Sequence, residues 1–185
     1  QYQNKNITPN TTYLIEYMII FVLQFTNNQK NNPTMPDSFD KAILQEVQKN
    51  AKITVKELSE TINLSPTPVF ERLKKLEKDG YILGYHARLD GKKLGLNLTV
   101  MCYVSLRHHQ RELIEKFQSD VIDFDEVRDC YHIAGMYDYL LKVVVTDMDA
   151  YQQFVSKKLA SLDNIGNVQS SFVMTTLKSE IGFKV

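Results

Sequence analysis

Between Asn63 and Gly80 the chain reads NLSPTPVFERLKKLEKDG, and the two prolines at its head limit what this stretch can become. A proline has no N–H and holds φ near the helical value, so Pro66 and Pro68 fit the first turn of a helix and no deeper part of it. The pattern predicts a helix that begins at the prolines, capped by Ser65 or Thr67, and stops at Gly80. At about 100° per residue, Val69, Leu73 and Leu76 form an inward stripe. Thr67, Glu71, Lys74, Lys75 and Lys78 then face outward, with Phe70 and Arg72 on the borders.

Two shorter helices are predicted just upstream. Ile43, Leu44 and Val47 share one face of the first, with Asp37 and Asp40 at its N-terminus, where negative charge is favourable. Thr54 and Glu57 have the T-x-x-E spacing of a capping box, which opens a second helix with Val55, Leu58 and Ile62 inward. Asn63 can adopt the left-handed turn that ends it. Two short helices joined by a tight turn, the second presenting polar and cationic groups, are what a helix-turn-helix needs to enter a major groove.

Charge supports a local DNA surface rather than a global one. The chain has 22 basic and 22 acidic residues and no net charge, which argues against a histone-like field. Residues 37–93 carry 11 basic against 9 acidic side chains, and residues 94–185 carry 9 against 12. Lys and Arg on an exposed helix are usually only solvated, and Glu71 with Lys75 would also make a good i,i+4 pair. Only Cys102 and Cys130 are present, without a CxxC, so neither a disulfide framework nor a zinc ribbon is expected and a reducing cytoplasm fits.

Residues 1–35 differ from the rest: rich in Asn, Gln and Thr, with one apolar run, YLIEYMIIFVLQF, from Tyr13 to Phe25. That run is interrupted by Glu16 and falls short of the roughly 20 residues a membrane span needs. It also has neither a basic flank nor a small-residue cleavage site. A disordered or loosely helical leader ahead of a start at Met35 is the expectation, with no membrane partner.

The second half has a regular rhythm. After a strand or short hairpin at YILGYHARLD and a hinge at DGKKLG, LTVMCYVSL reads as a strand and RELIEKFQSDV as an amphipathic helix. VRDCYHIAG and DYLLKVVV read as strands joined by a turn at Met136 and Tyr137. DAYQQFVSKKLASL reads as a helix and VQSSFVMTTLKS as a last strand. The order β-α-β-β-α-β specifies a ferredoxin-like sandwich, with both helices on one face of an antiparallel sheet. Cys102, Val104, Tyr131, Ile133 and Leu141 are too many for one helical layer, so a second copy of the sheet is expected to cover the other face.

The stretch DKAILQEVQKNAKITVKELSETINLSPTPVFERLKKLEKDGYILGY resembles the Lrp/AsnC family of transcription regulators, LSPTPVFERLKKLEKDGYI being the most specific part. The resemblance continues through the remaining half, about 145 residues in all. Lys52 stands where the family usually has Arg, and Pro36 where it usually has Leu. Gly135, Met136, Tyr137, Asp138 and Tyr139 match the G-x-x-D-Y segment of the family's ligand-binding domain, with Met136 in place of a common acidic residue. The family implies an amino-acid effector held between dimers. Asp138 could pair with its α-ammonium, while turn amides near Gly135 and the hydroxyls of Thr175 or Thr176 could hold its α-carboxylate. A plain β-hairpin, with Asp138 bonded to its own backbone, explains the same residues.

Three regions follow, of α+β class: a three-helix (winged) helix-turn-helix over 36–82, a strand linker over 83–95, and the ferredoxin-like domain over 96–185. The expected function is sequence-specific regulation of transcription at a pseudo-palindromic duplex, by a homodimer that assembles further and answers to an amino acid. Ser65, Thr67, Glu71, Arg72 and Lys75 are candidate base readers, and Lys74 and Lys78 candidate phosphate contacts. No catalytic motif, metal set or cofactor is expected; His108 and His109 are adjacent, a spacing that points them apart. The alternatives are a siroheme decarboxylase-like enzyme, which shares the family's architecture, or a DNA-binding protein without an effector.

Overall fold

The computed structural model describes residues 35–179 and 182–185; the expected leader lies outside the described residues. The described residues divide into two units, 35–86 with 182–185, and 87–179.

The described part of the first unit is built on three helices, α1 (Ser38–Lys49), α2 (Val55–Ile62) and α3 (Pro66–Lys78). Each end is set by local chemistry. Asp37 and Asp40 form a capping box at α1, and Thr54 and Glu57 form the expected one at α2, with Glu57 N–H donating to Thr54 Oγ1 over 3.2 Å. In return the Thr54 N–H and hydroxyl each donate to Glu57 Oε2 at 2.8 Å and hold the Glu57 carboxyl below its ordinary range. Asn63 closes α2 in the left-handed region at φ +54°. Gly80, at φ +77°, closes α3: Tyr81 N–H donates to Leu76 O (2.9 Å) and Gly80 N–H to Glu77 O (3.1 Å).

One expected cap is absent. Ser65 is the N-cap of α3, yet its side chain makes no capping bond. The third helical residue, whose N–H closes the caps of the other two helices, is here Pro68, which has none, so the Thr67 N–H is the one donor left within reach. The core of this unit is Ile43, Leu44, Val47, Leu58, Val69 and Leu76, with Ile53, Val55, Ile62, Leu64 and Leu73 packed around it. Each such side chain taken fully out of water contributes about 1.5–3 kcal/mol.

The second unit is a four-stranded antiparallel sheet in the order β2-β3-β1-β4, from β1 (Leu98–Leu106), β2 (Val127–His132), β3 (Tyr139–Val145) and β4 (Ile165–Phe172). Helix α4 (Arg111–Ile122) joins β1 to β2. Helix α5 (Met148–Gln153), continued by a π turn and a 3₁₀ turn, joins β3 to β4. Val100, Cys102, Val104, Leu106, Tyr139, Leu141, Val143 and Val145 are buried in strict alternation, against Ile114, Phe117 and Val121 of α4 and Tyr151, Phe154 and Leu159. Phe117 and Tyr139 rings meet at 4.7 Å, and Cys102 Sγ lies 3.0 Å from the Tyr151 hydroxyl.

The five residues that were too many for one helical layer divide between the faces. Cys102, Val104 and Leu141 point into the helical layer, with Cys102 paired to Leu141 across β1 and β3, while Tyr131, paired with Leu140, and Ile133, which continues the same parity, fall on the other face. Two other expectations need correction. The last strand starts and stops earlier than expected: beyond Val173, whose N–H reaches Thr99 O at 3.0 Å, β1 has only Leu98 left to offer. The segment 83–90 joins no ladder among the described residues, where no strand is offered to pair with it. Among the described residues no helix is long and apolar enough to cross a membrane.

Candidate nucleic-acid interface and ligand site

Helix α3 presents Thr67, Glu71, Lys74, Lys75 and Lys78 to solvent, with Ser65 exposed ahead of them. The prolines remove two of the first three helical N–H groups, leaving Thr67 as the only donor in that turn. One free amide and the side chains are all this end offers an anion. Lys75 and Lys78 make no ion pair among the described residues. Lys74 is lightly held by Glu77 at 3.2 Å, in preference to the Glu71–Lys75 pair that spacing allowed. Glu77 also accepts from the Tyr85 hydroxyl at 2.9 Å, which with Lys74 keeps its carboxyl below the ordinary range. Partial burial, then Glu77, pushes the Tyr85 hydroxyl up to about 12.

Arg72 has a different task from its neighbours. Its Nη1 donates to Asp40 Oδ1 (2.6 Å) and Asp37 Oδ2 (2.7 Å), the two residues of the α1 capping box, and its guanidinium lies 5.6 Å from the Phe39 ring centroid. These bonds, Asp40 first, push the guanidinium further up. The Asp37 carboxyl is held down, by the Asp40 N–H first and Arg72 second. Arg72 thus braces α3 against the start of α1, where the sequence had placed it among the base readers. Substituting Arg72→Ala is expected to cost roughly 1 kcal/mol of stability, mostly through the less exposed Asp40 contact. Affinity for specific and random DNA should then fall by the same factor in a fluorescence titration. A loss confined to the specific site would return Arg72 to the readers.

The ligand-site candidates occupy two places. Gly135, at φ +147°, and Met136, 90% exposed, lie in the turn between β2 and β3. Asp138 pins that turn to the end of β1: its N–H donates to Val104 O (2.9 Å), Oδ2 accepts from Leu106 N–H (2.7 Å), and Oδ1 lies 2.8 Å from His109 Nε2. Both carboxylate oxygens are therefore already committed within the chain. Ser105 Oγ donates to Met136 O at 3.4 Å, the Tyr137 hydroxyl bonds to Gln169, and the Tyr137 and Tyr103 rings stand 5.4 Å apart.

Thr175 and Thr176 do not join this cluster. They follow Val173, which pairs with Thr99, whereas Asp138 pairs with Val104. Thr99 and Val104 are five residue steps apart, about 17 Å of strand. His109, Ser105, Tyr103 and Gln169 were not anticipated at this turn, and no local pattern marks them, since each is brought in by sheet pairing. A surface hollow of about 370 Å³ is lined by Glu126, Asp147, Asp149, Lys157 and Lys158 and contains none of the candidates. Among the described residues, no group of His, Cys, Asp or Glu is arranged to hold a metal.

A three-helix unit with an exposed cationic third helix, followed by a βαββαβ sandwich, defines a two-domain DNA-binding regulator of transcription. A family model described as winged helix-turn-helix DNA-binding matches residues 36–82, and one described as Lrp/AsnC ligand binding domain matches residues 99–182. The DNA-binding transcriptional activator DecR of Escherichia coli is 37% identical over 144 residues, 78% of this chain and 95% of that protein. The transcriptional regulator AzlB of Bacillus subtilis is 36% identical over 151 residues, 82% and 96%. The solved structure of a transcriptional regulator from Neisseria meningitidis in complex with L-Met is 38% identical, with a TM-score of 0.75, covering 78% of this chain and 93% of that one. The chain belongs to the Lrp/AsnC family of transcriptional regulators, and these relatives are regulators, not enzymes.

Proposed function

We propose that the chain is a homodimeric, further assembling regulator whose α3 helices enter successive major grooves of a pseudo-palindromic site and whose ligand-binding domain answers to an amino acid. The observation that carries the DNA half is the contrast on α3: Arg72 is tied to α1, while Ser65, Thr67, Glu71 and Lys75 are exposed to base edges, Lys78 is exposed to phosphate, and Lys74 need only leave its 3.2 Å contact with Glu77 to join it. The protein acts in the cytoplasm, where its DNA is.

A second copy is favoured by the sheet face opposite the helices. It carries Met101, Tyr103, Leu140 and Val144, all half-buried, with Tyr131 exposed beside them. Exposed Leu83 and Leu89 in the unpaired linker add to the surface a partner would cover. An amino-acid effector is favoured by the match to a ligand-binding domain and by the L-Met bound to the similar regulator. In one copy Gly135–Asp138 and Thr175–Thr176 lie at opposite ends of the sheet, so a pocket using both must take one set from each of two copies. An effector held there acts only by preferring one assembly over another.

The test is a gel shift on the protein's own upstream region with random competitor and a panel of amino acids. Binding that survives competitor and changes mobility with one amino acid is expected; binding no better than random DNA would remove the regulator reading. Lys78→Ala should weaken all sequences alike and lower the salt dependence of binding by about one phosphate contact. A loss that depends on sequence would instead make Lys78 a reader.

A further inference from the structure

Residues 182–185 are 135 to 140 positions away in sequence from what they touch, and they cluster with the DNA-binding unit. The contact is made by two glutamines of α1. Gln48 sets its carboxamide against the Phe183 peptide, Nε2 donating to Phe183 O (3.2 Å) and Oε1 accepting from Phe183 N–H (2.6 Å). Gln45 Nε2 donates to the Val185 carbonyl oxygen at 2.9 Å.

A primary carboxamide offers a donor and an acceptor side by side, the same pair that a residue of a neighbouring strand offers in a ladder. Gln48 therefore acts as a one-residue strand partner. Gln45 and Gln48 are three apart on one helix face, about 5–6 Å, and alternate residues of an extended chain repeat at about 7 Å, so the two glutamines can meet Phe183 and Val185 together. Recognition is of the backbone, since the Phe183 side chain stays 88% exposed. Gly182 suits the approach: its φ is +118°, and a Cβ there would lie 2.6 Å from Gln48 Oε1.

We propose that the face of α1 around Gln45 and Gln48 is a docking site for an extended peptide and that its occupant is this chain's own segment 182–185, a strap on the DNA-binding unit. Hydrogen bonds exposed to water add little individually, but a tethered segment has a high effective concentration at its site. The strap is thus closed by default and easily released. The chain passes between its two units twice, at His86/Ala87 and again ahead of Gly182.

The test is residue-resolved amide exchange in the full chain, with no DNA or effector needed, so it stands or falls apart from the regulatory reading. The Phe183 N–H is expected to exchange several-fold more slowly than in Gln48→Ala, which keeps α1 because Ala is the best helix former. Gly182→Val, which blocks the approach with Gln48 intact, should release the strap in the same way. Equal Phe183 rates in the parent and both variants would overturn the proposal. So would protection that disappears on dilution, because the occupant would then be a second copy.

Discussion

A chain carrying Leu140→Glu is expected to sediment as a monomer and to bind a pseudo-palindromic fragment about 10²–10⁴-fold more weakly than the parent, while its affinity for an isolated half-site stays the same. Leu140 lies on the inner strand β3, paired with Tyr103, at the centre of the face that the helices leave open. A carboxylate there must lose its water if two sheets are to pack, and Lys142 on the same face is already engaged by Asp129 at 3.1 Å. The fold itself should survive, because Leu141 and Val143, the neighbours that build the core, point the other way. Each α3 remains intact, so the loss reports only the linkage of two half-sites. Sedimentation equilibrium with a paired full-site and half-site titration separates the two effects. A variant that stays dimeric would place the subunit contact elsewhere, with the linker around Leu83 and Leu89 the next surface to alter.

The DNA-binding helices were legible in the sequence because their signals are local. A T-x-x-E box, an Asn able to turn left-handed, two prolines and a terminal glycine each act within four residues of where they stand, and the apolar spacing fixes the inward face. The strand order was legible for the same reason, since alternation is a property of one strand. Facing was less so: alternation says that Cys102 and Val104 share a face, but only the pairing of Cys102 with Leu141 and of Tyr131 with Leu140 decides which strands agree. Roles that depend on distant partners were invisible. The contacts of Arg72 with Asp37 and Asp40 could not be read, because those partners lie 35 and 32 residues upstream. That Thr175 and Thr176 stand apart from Gly135 within one copy could not be read either, because where a strand ends depends on the length of its neighbour.

Asp138 separates clamp from ligand contact. Asp138→Ala removes the acceptor for the Leu106 N–H, whose residue is only 6% exposed, and leaves His109 without its partner. An unsatisfied buried N–H costs about 1–3 kcal/mol, so this variant should unfold earlier in denaturant and lose any amino-acid response with the turn that carries it. Asp138→Asn has the same shape. Its carbonyl oxygen can still accept from Leu106 N–H, while its amide donates to His109 Nε2 in the tautomer that leaves that nitrogen bare. Stability should return to near the parent value. Because both carboxylate oxygens already serve the chain, Asp138→Asn is also expected to keep the shift in DNA mobility caused by the amino acid. A folded Asp138→Asn protein that binds DNA but no longer answers the amino acid would mean that the negative charge holds the ligand's ammonium, and that the clamp and the sensor are one group.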